Sequence, residues 1–72
     1  MKKRSVSIAG HATSITLEDE FWDAVKVIAN KRGTTVPLLI GEIDEARMKQ
    51  ASPPNLSSAI RLYVLAFYQD KN

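Results

Sequence analysis

Cysteine is absent from this chain of 72 residues, and histidine occurs once, at position 11. Disulfide bridges and thiolate metal sites are therefore excluded, and a single imidazole cannot build a histidine-rich metal site. The three glycines are isolated, so no glycine-rich loop could cradle a phosphate. Ser57 and Ser58 have no general base near them in sequence. These absences predict that the protein is not an enzyme and that it holds no metal and no cofactor.

Long hydrophobic runs are also missing. No stretch approaches the ~20 apolar residues of a membrane-spanning helix. The basic start of the chain lacks the apolar core of a signal peptide. We therefore expect a cytoplasmic protein with no membrane partner.

The small size of the chain favours packing against a second protein subunit. A single domain at residues 1–72 buries only ~60% of the surface that its unfolded chain exposes, and dimerisation would supply the missing core.

The net charge is +2, which supports an anionic partner only weakly. The distribution of charge is more informative, because three basic residues cluster beside the amino terminus, namely Lys2, Lys3 and Arg4.

One short strand is predicted at residues 13–17, where apolar and polar residues alternate directly before a helix. No second convincing strand follows it, so its partner strand is expected to come from another copy of the chain. Residues 1–12 are interpreted as a basic arm or short strand. Val6 and Ile8 are out of phase with Ile15 and Leu17, and the change of phase is assigned to a bulge or turn at Gly10.

Three helices are predicted to follow the strand. The first, at residues 18–32, has acidic residues in its first turn, takes Thr16 as its N-cap and ends before Gly33. The second, at residues 35–49, begins with Thr35 as its cap and Pro37 in its first turn. The third, at residues 55–69, follows the break at Pro53 and Pro54. The fold class is therefore mostly α with one short β-strand.

The run from Ser14 to Val25, closed by Arg32, Gly33, Thr34 and Thr35, resembles the ribbon-helix-helix family of dimeric DNA-binding proteins. The chain from Arg4 to Tyr68 is similar to a bacterial subgroup of that family with an additional C-terminal helix. The resemblance implies an intertwined homodimer with an intermolecular two-stranded antiparallel ribbon. It also implies that the ribbon enters the DNA major groove.

The resemblance assigns the base-reading positions to the outward side chains of the strand, which are Ala12, Ser14 and Thr16. Short hydroxyl groups discriminate bases weakly, and arginine, asparagine and glutamine, the strong readers, are absent from these positions. The alternative interpretation is an ordinary half-exposed strand.

Two further groups are expected at the DNA backbone. The basic residues Lys2, Lys3 and Arg4 would neutralise phosphates, or else form a solvated tail. The resemblance assigns a phosphate clamp to the start of the second helix, at Thr34, Thr35 and Val36. Pro37 removes one amide donor, so this clamp is expected to be weak, and the alternative is a plain capped turn.

The sequence is consistent with two alternative functions. The first is a homodimeric DNA-binding protein that acts as a transcriptional regulator. The second is a protein-interaction or dimerisation module, including an antitoxin-like one, that keeps the fold, binds DNA weakly or without specificity, and holds a protein partner through its third helix.

Overall fold

A computed structural model of the chain describes residues 2–70 and contains two strands followed by three helices. The predicted domain at 1–72 also included Met1, Lys71 and Asn72, which lie outside the described residues. The elements in chain order are β1 (Lys2–Ile8), β2 (His11–Leu17), α1 (Asp19–Lys31), α2 (Val36–Met48) and α3 (Leu56–Gln69).

A two-residue turn joins the strands into a hairpin. Ala9 and Gly10 occupy the turn with φ angles of 50° and 82°, the pair of positive values that a type I′ turn requires. Glycine adopts such an angle without penalty, whereas alanine pays about 1 kcal/mol for its Cβ. The twist of this turn matches that of the flanking strands, which stabilises the antiparallel pairing.

The register of the hairpin places the apolar residues of both strands on one face. Ile8 pairs with His11, and the pairing continues in steps to Lys2 opposite Leu17. Even-numbered residues of β1 therefore lie opposite odd-numbered residues of β2, and cross-strand partners share a face. This register explains the change of phase between the two apolar pairs, Val6 with Ile8 and Ile15 with Leu17.

The partner of β2 is thus the strand that precedes it in the same chain. The prediction that β2 finds its partner strand in another copy of the chain is wrong for this structure, because the basic arm or short strand predicted at residues 1–12 is a full strand that pairs with β2. In addition, Ser57 Oγ donates a 2.8 Å hydrogen bond to the carbonyl oxygen of Thr16, so the end of β2 is tied to the start of α3.

The helix ends follow ordinary capping chemistry with one exception. The Thr35 side chain accepts a hydrogen bond from the Leu38 amide at 3.3 Å, and the Asn55 side chain accepts one from the Ser58 amide at 2.8 Å. Gly33, with φ of 68°, ends the segment after α1 in the left-handed conformation. The exception is the start of α1, where Glu18 and not Thr16 is the N-cap and makes no side-chain capping bond.

The helices cover the inner face of the hairpin and close a single apolar core. The two strands contribute Val6, Ile15 and Leu17 to that core. Each helix contributes three buried residues, which are Val25, Ile28 and Ala29 from α1, Leu39, Ile40 and Ile43 from α2, and Ala59, Ile60 and Val64 from α3. One chain therefore buries the inner faces of its own strands and helices.

Replacing Ile15 by aspartate should unfold the chain. Ile15 is 1% exposed, and its substitution both removes apolar burial and places a carboxylate in the core, so we expect a loss of more than about 3 kcal/mol in the free energy of unfolding. The measurement is urea denaturation followed by circular dichroism. Ser14→Asp is the matched control, because its side chain lies on the exposed face of the same strand and the variant should keep the wild-type midpoint. Equal midpoints for the two variants would contradict this assignment of the faces.

Candidate nucleic-acid interface

The outer face of the hairpin is a continuous exposed surface of short side chains. Alternation along the strands turns one residue in two away from the helices. The predicted readers Ala12, Ser14 and Thr16 all lie on this face and are exposed. Directly across the ribbon, they pair with Ser7, Ser5 and Lys3.

Ser5 and Ser7 are candidate contacts that the sequence interpretation did not include. The signal that could have identified them is the alternation of β1 itself, in which Val6 and Ile8 point inward and the serines between and before them point outward. The outer face therefore carries four hydroxyl groups, each able to donate and to accept a hydrogen bond, and Lys3 as the one cation among its six side chains. A two-stranded ribbon of this width can enter the major groove of DNA.

Arg4 does not belong to this outer face. Its guanidinium lies 4.8 Å from the centre of the Trp22 ring, and Nη2 donates a 2.9 Å hydrogen bond to the Asp19 carboxylate. Its Nε atom is buried and has no hydrogen-bond partner within residues 2–70. These contacts attach β1 to the first turn of α1, so the side chain supports the fold from the inner face and is withdrawn from the surface where it was expected to meet phosphates.

Lys2 and Lys3 lie in different electrostatic surroundings. Lys2 is exposed and borders a surface depression that it shares with three acidic residues, Glu18, Asp19 and Glu20. Lys3 is exposed on the outer face, beside Thr16 across the ribbon. Of the three basic residues predicted to contact DNA, Lys3 is therefore the one on the outer face of the ribbon. Its cross-strand neighbour, Thr16, carries no charge.

The start of α2 is a capped helix terminus close to the hairpin turn. Thr34 and Val36 are half-buried, and Thr35 is exposed with its side chain engaged as the cap. The first turn of α2, at Pro37 and Leu38, lines a surface groove together with residues 7–9 of the hairpin. The predicted clamp residues therefore lie at the turn end of the ribbon, while Lys2 and Lys3 lie at its open end.

These elements agree with the comparison of the chain against family models. The model of the ribbon-helix-helix domain matches residues 1–68. The chain belongs to the ribbon-helix-helix family. The family assignment is confirmed, and so is the ribbon-helix-helix fold with a third helix, in which the two-stranded antiparallel sheet lies within one chain. No curated protein and no solved structure matched the chain.

The ribbon-helix-helix family is in general a DNA-binding, regulatory family, and its fold is not an enzymatic one. Among residues 2–70, no three metal-ligating side chains come together. Two of the three carboxylates of α2 form ion pairs, Glu42 with Arg32 at 3.2 Å and Asp44 with Arg47 at 2.7 Å. In the described part of the chain, no helix is long and apolar enough to cross a membrane.

A bidentate contact holds the end of the ribbon against α3. Arg61 donates from Nε and Nη2 to the two carboxylate oxygens of Glu18, at 2.8 Å and 3.2 Å. These hydrogen bonds favour the charged carboxylate and, together with a backbone hydrogen bond, hold the pKa of Glu18 below its usual value. Glu18 directly follows β2, so this contact ties the end of the ribbon to α3.

Replacing Glu18 by glutamine should lower the stability of the fold at neutral pH. It should also make that stability less dependent on pH in the acidic range. Because the folded state lowers the pKa of Glu18, the contact stabilises the fold above the unfolded pKa, near 4.5, and its contribution disappears as the pH falls through the folded value. We expect the melting temperature of Glu18→Gln to lie below wild type at pH 7, with the gap closing as the pH falls below 4.5 and through the lowered pKa of Glu18. Glu45→Gln, at an exposed position in the middle of α2, is the control and should track wild type. A constant gap at all pH values would contradict the contact.

Proposed function

We propose that this ribbon-helix-helix protein is a homodimeric, cytoplasmic DNA-binding protein and a transcriptional regulator. The observation that carries the proposal is the separation of the hairpin into two faces. The inner face is covered by helices, and the outer face is exposed and carries hydroxyl groups with one lysine. A surface of this composition suits a groove that offers hydrogen-bond donors and acceptors between rows of phosphates.

The base-reading set in this proposal is wider than the sequence interpretation. It comprises both strands of one hairpin, with Ser14 opposite Ser5 and Ala12 opposite Ser7. Lys3 would contact a phosphate at the open end of the ribbon, and the amides of Thr35 and Val36 together with the Thr34 hydroxyl would contact one near the turn end. The Thr34 amide is not available for this contact, because it donates a 2.9 Å hydrogen bond to the carbonyl oxygen of Ala29. Arg4 takes a positioning role, since its contacts with Asp19 and Trp22 hold β1 on the helices.

The homodimer is supported by the family, whose members typically dimerise and bind DNA. A two-fold axis would present two copies of the outer face to successive half-sites, as other dimeric DNA-binding proteins do. The dimer is not needed to complete the core, because one chain already buries it.

The second candidate function is a protein-interaction or dimerisation module, including an antitoxin-like one. The absence of arginine, asparagine and glutamine among the six outer side chains favours it, since these are the side chains that discriminate bases most strongly. The inward position of Arg4 favours it as well. In this alternative the outer surface of α3 binds the partner protein.

Removing the two lysines of β1 should reduce the salt dependence of DNA affinity. For each phosphate that the variant no longer neutralises, the slope of log K against log salt should fall by about 0.9. The test compares Lys2→Ala/Lys3→Ala with Lys26→Ala/Lys31→Ala, a control on α1 that removes the same charge. Fluorescence anisotropy on a labelled duplex measures both slopes.

A smaller slope for the β1 variant alone is expected. Equal slopes for the two double variants would remove the ribbon lysines from the interface.

Selection of bound sequences from a pool of random DNA duplexes distinguishes the two candidate functions, because enrichment of a two-fold-symmetric site supports the regulator. Binding that is erased at physiological salt without enrichment would favour the interaction module.

A further inference from the structure

Helix α3 makes polar contacts with both of the elements that the proposed function places on DNA. At the open end of the ribbon, Ser57 Oγ donates its 2.8 Å hydrogen bond to the Thr16 carbonyl oxygen. Further along the same helix, the Tyr63 hydroxyl accepts a 2.8 Å hydrogen bond from Arg32, the residue that ends α1. One helix therefore contacts the end of the ribbon and the turn that leads into α2.

The Arg32 guanidinium joins three helices directly before that turn. Arg32 is the C-cap residue of α1. Its Nη1 atom donates to the Tyr63 hydroxyl of α3, and its Nη2 atom donates to the Glu42 carboxylate of α2 at 3.2 Å. A guanidinium presents its donors in a rigid planar fork, so two simultaneous partners fix the direction of the side chain. The end of α1 is therefore held against both α2 and α3.

The start of α2 offers two backbone amides to a phosphate. Among residues 2–70, the amides of Thr35 and Val36 have no hydrogen-bond acceptor. The next residue, Pro37, has no amide hydrogen, and the Leu38 amide donates to the Thr35 side chain. Amides at a helix start bind an anion when they point at it. Because only residues 33–35 separate Arg32 from α2, the way Arg32 is held sets the direction of these two amides.

The energy of the Arg32 contacts is less important than their geometry. The side chains of Arg32 and Glu42 are 40% and 55% exposed. Ion pairs that are this exposed contribute little to the stability of a fold. The consequence of the Arg32 contacts therefore lies in the orientation of the turn, which precedes the two available amides.

We propose that Tyr63 is a positioning residue for DNA binding, which acts through Arg32 to orient the amides of Thr35 and Val36 toward a DNA phosphate. This inference rests on the proposed function and adds α3 to the residues that serve it. Tyr63 and Arg32 do not touch DNA in this arrangement. Because α3 also holds the end of β2, the helix sets the position of the phosphate contact relative to the ribbon.

A double-mutant cycle tests the link between Tyr63 and the Val36 amide. Val36→Pro removes this amide at the first position of the helix, where proline is tolerated. Thr35 is extended, with ψ of 160°, and so already has the conformation that a residue before proline requires. Fluorescence anisotropy on a labelled random-sequence duplex, at one fixed low salt concentration, measures the affinity of wild type, both single variants and the double variant.

The expected result is a loss that depends on the amide. Val36→Pro should weaken binding about tenfold, the effect of one hydrogen bond to a charged group, and Tyr63→Phe should weaken it about fivefold. When Tyr63→Phe is added to Val36→Pro, the further loss should be less than about twofold, because the amide that Tyr63 positions is already gone.

Two further variants separate geometry from charge and from loss of the fold. Tyr68→Phe removes the same hydroxyl group from the same helix and should bind as wild type does. Arg32→Lys keeps the positive charge but lacks the planar fork, so it should lose affinity as Tyr63→Phe does. Circular dichroism should show the same helix content in all of these proteins.

The outcomes distinguish the positioning role from the proposed function. A wild type that does not bind DNA would overturn both. If wild type binds, then unchanged affinity in Tyr63→Phe, or an equal loss with and without Val36→Pro, would overturn the positioning role alone. Unchanged affinity in Val36→Pro would also overturn it, and would leave the ribbon as the element that contacts DNA. Unchanged affinity in Arg32→Lys would show that Arg32 acts by its charge and would overturn the role of Tyr63.

Discussion

The turn at Ala9 and Gly10 sets the position of every side chain in the ribbon. Its two positive φ angles close the hairpin with two residues, and this length pairs Ile8 with His11. A shift of one residue in the pairing would move the apolar residues of one strand to the opposite face. Because the turn prevents that shift, Val6 and Ile15 reach the same core and the serines of both strands reach the same outer face.

Because the ribbon has two faces, one basic residue of β1 supports the fold and another is exposed for recognition. Arg4 lies on the inner side, where Trp22 and Asp19 hold it against α1. Lys3 lies one residue earlier and therefore on the outer side. A similar separation operates next to this contact, where Arg61 binds Glu18, the residue before Asp19, while Leu62 and Leu65 on the same helix are uncharged and exposed.

The sequence predicted the parts of this fold that depend on local pattern. The inward positions of Ile15 and Leu17, the cap at Thr35 and the left-handed Gly33 follow from period, capping chemistry and backbone freedom. The pairing of β1 with β2 was missed because alanine seldom adopts positive φ and a basic start resembles a solvated tail. The role of Arg4 depends on residues 15 and 18 positions away, and such contacts leave no periodic signal.

Each chain closes its own ribbon in this structure, and isotope-filtered nuclear Overhauser spectroscopy on a mixture of labelled and unlabelled protein can verify it. Ser5 and Ser14 are cross-strand neighbours in the hairpin. If the hairpin is intramolecular, their contact should appear only between protons of the same chain, even in a dimer. A Ser5–Ser14 contact between labelled and unlabelled chains would show an exchanged ribbon and would contradict the intramolecular hairpin.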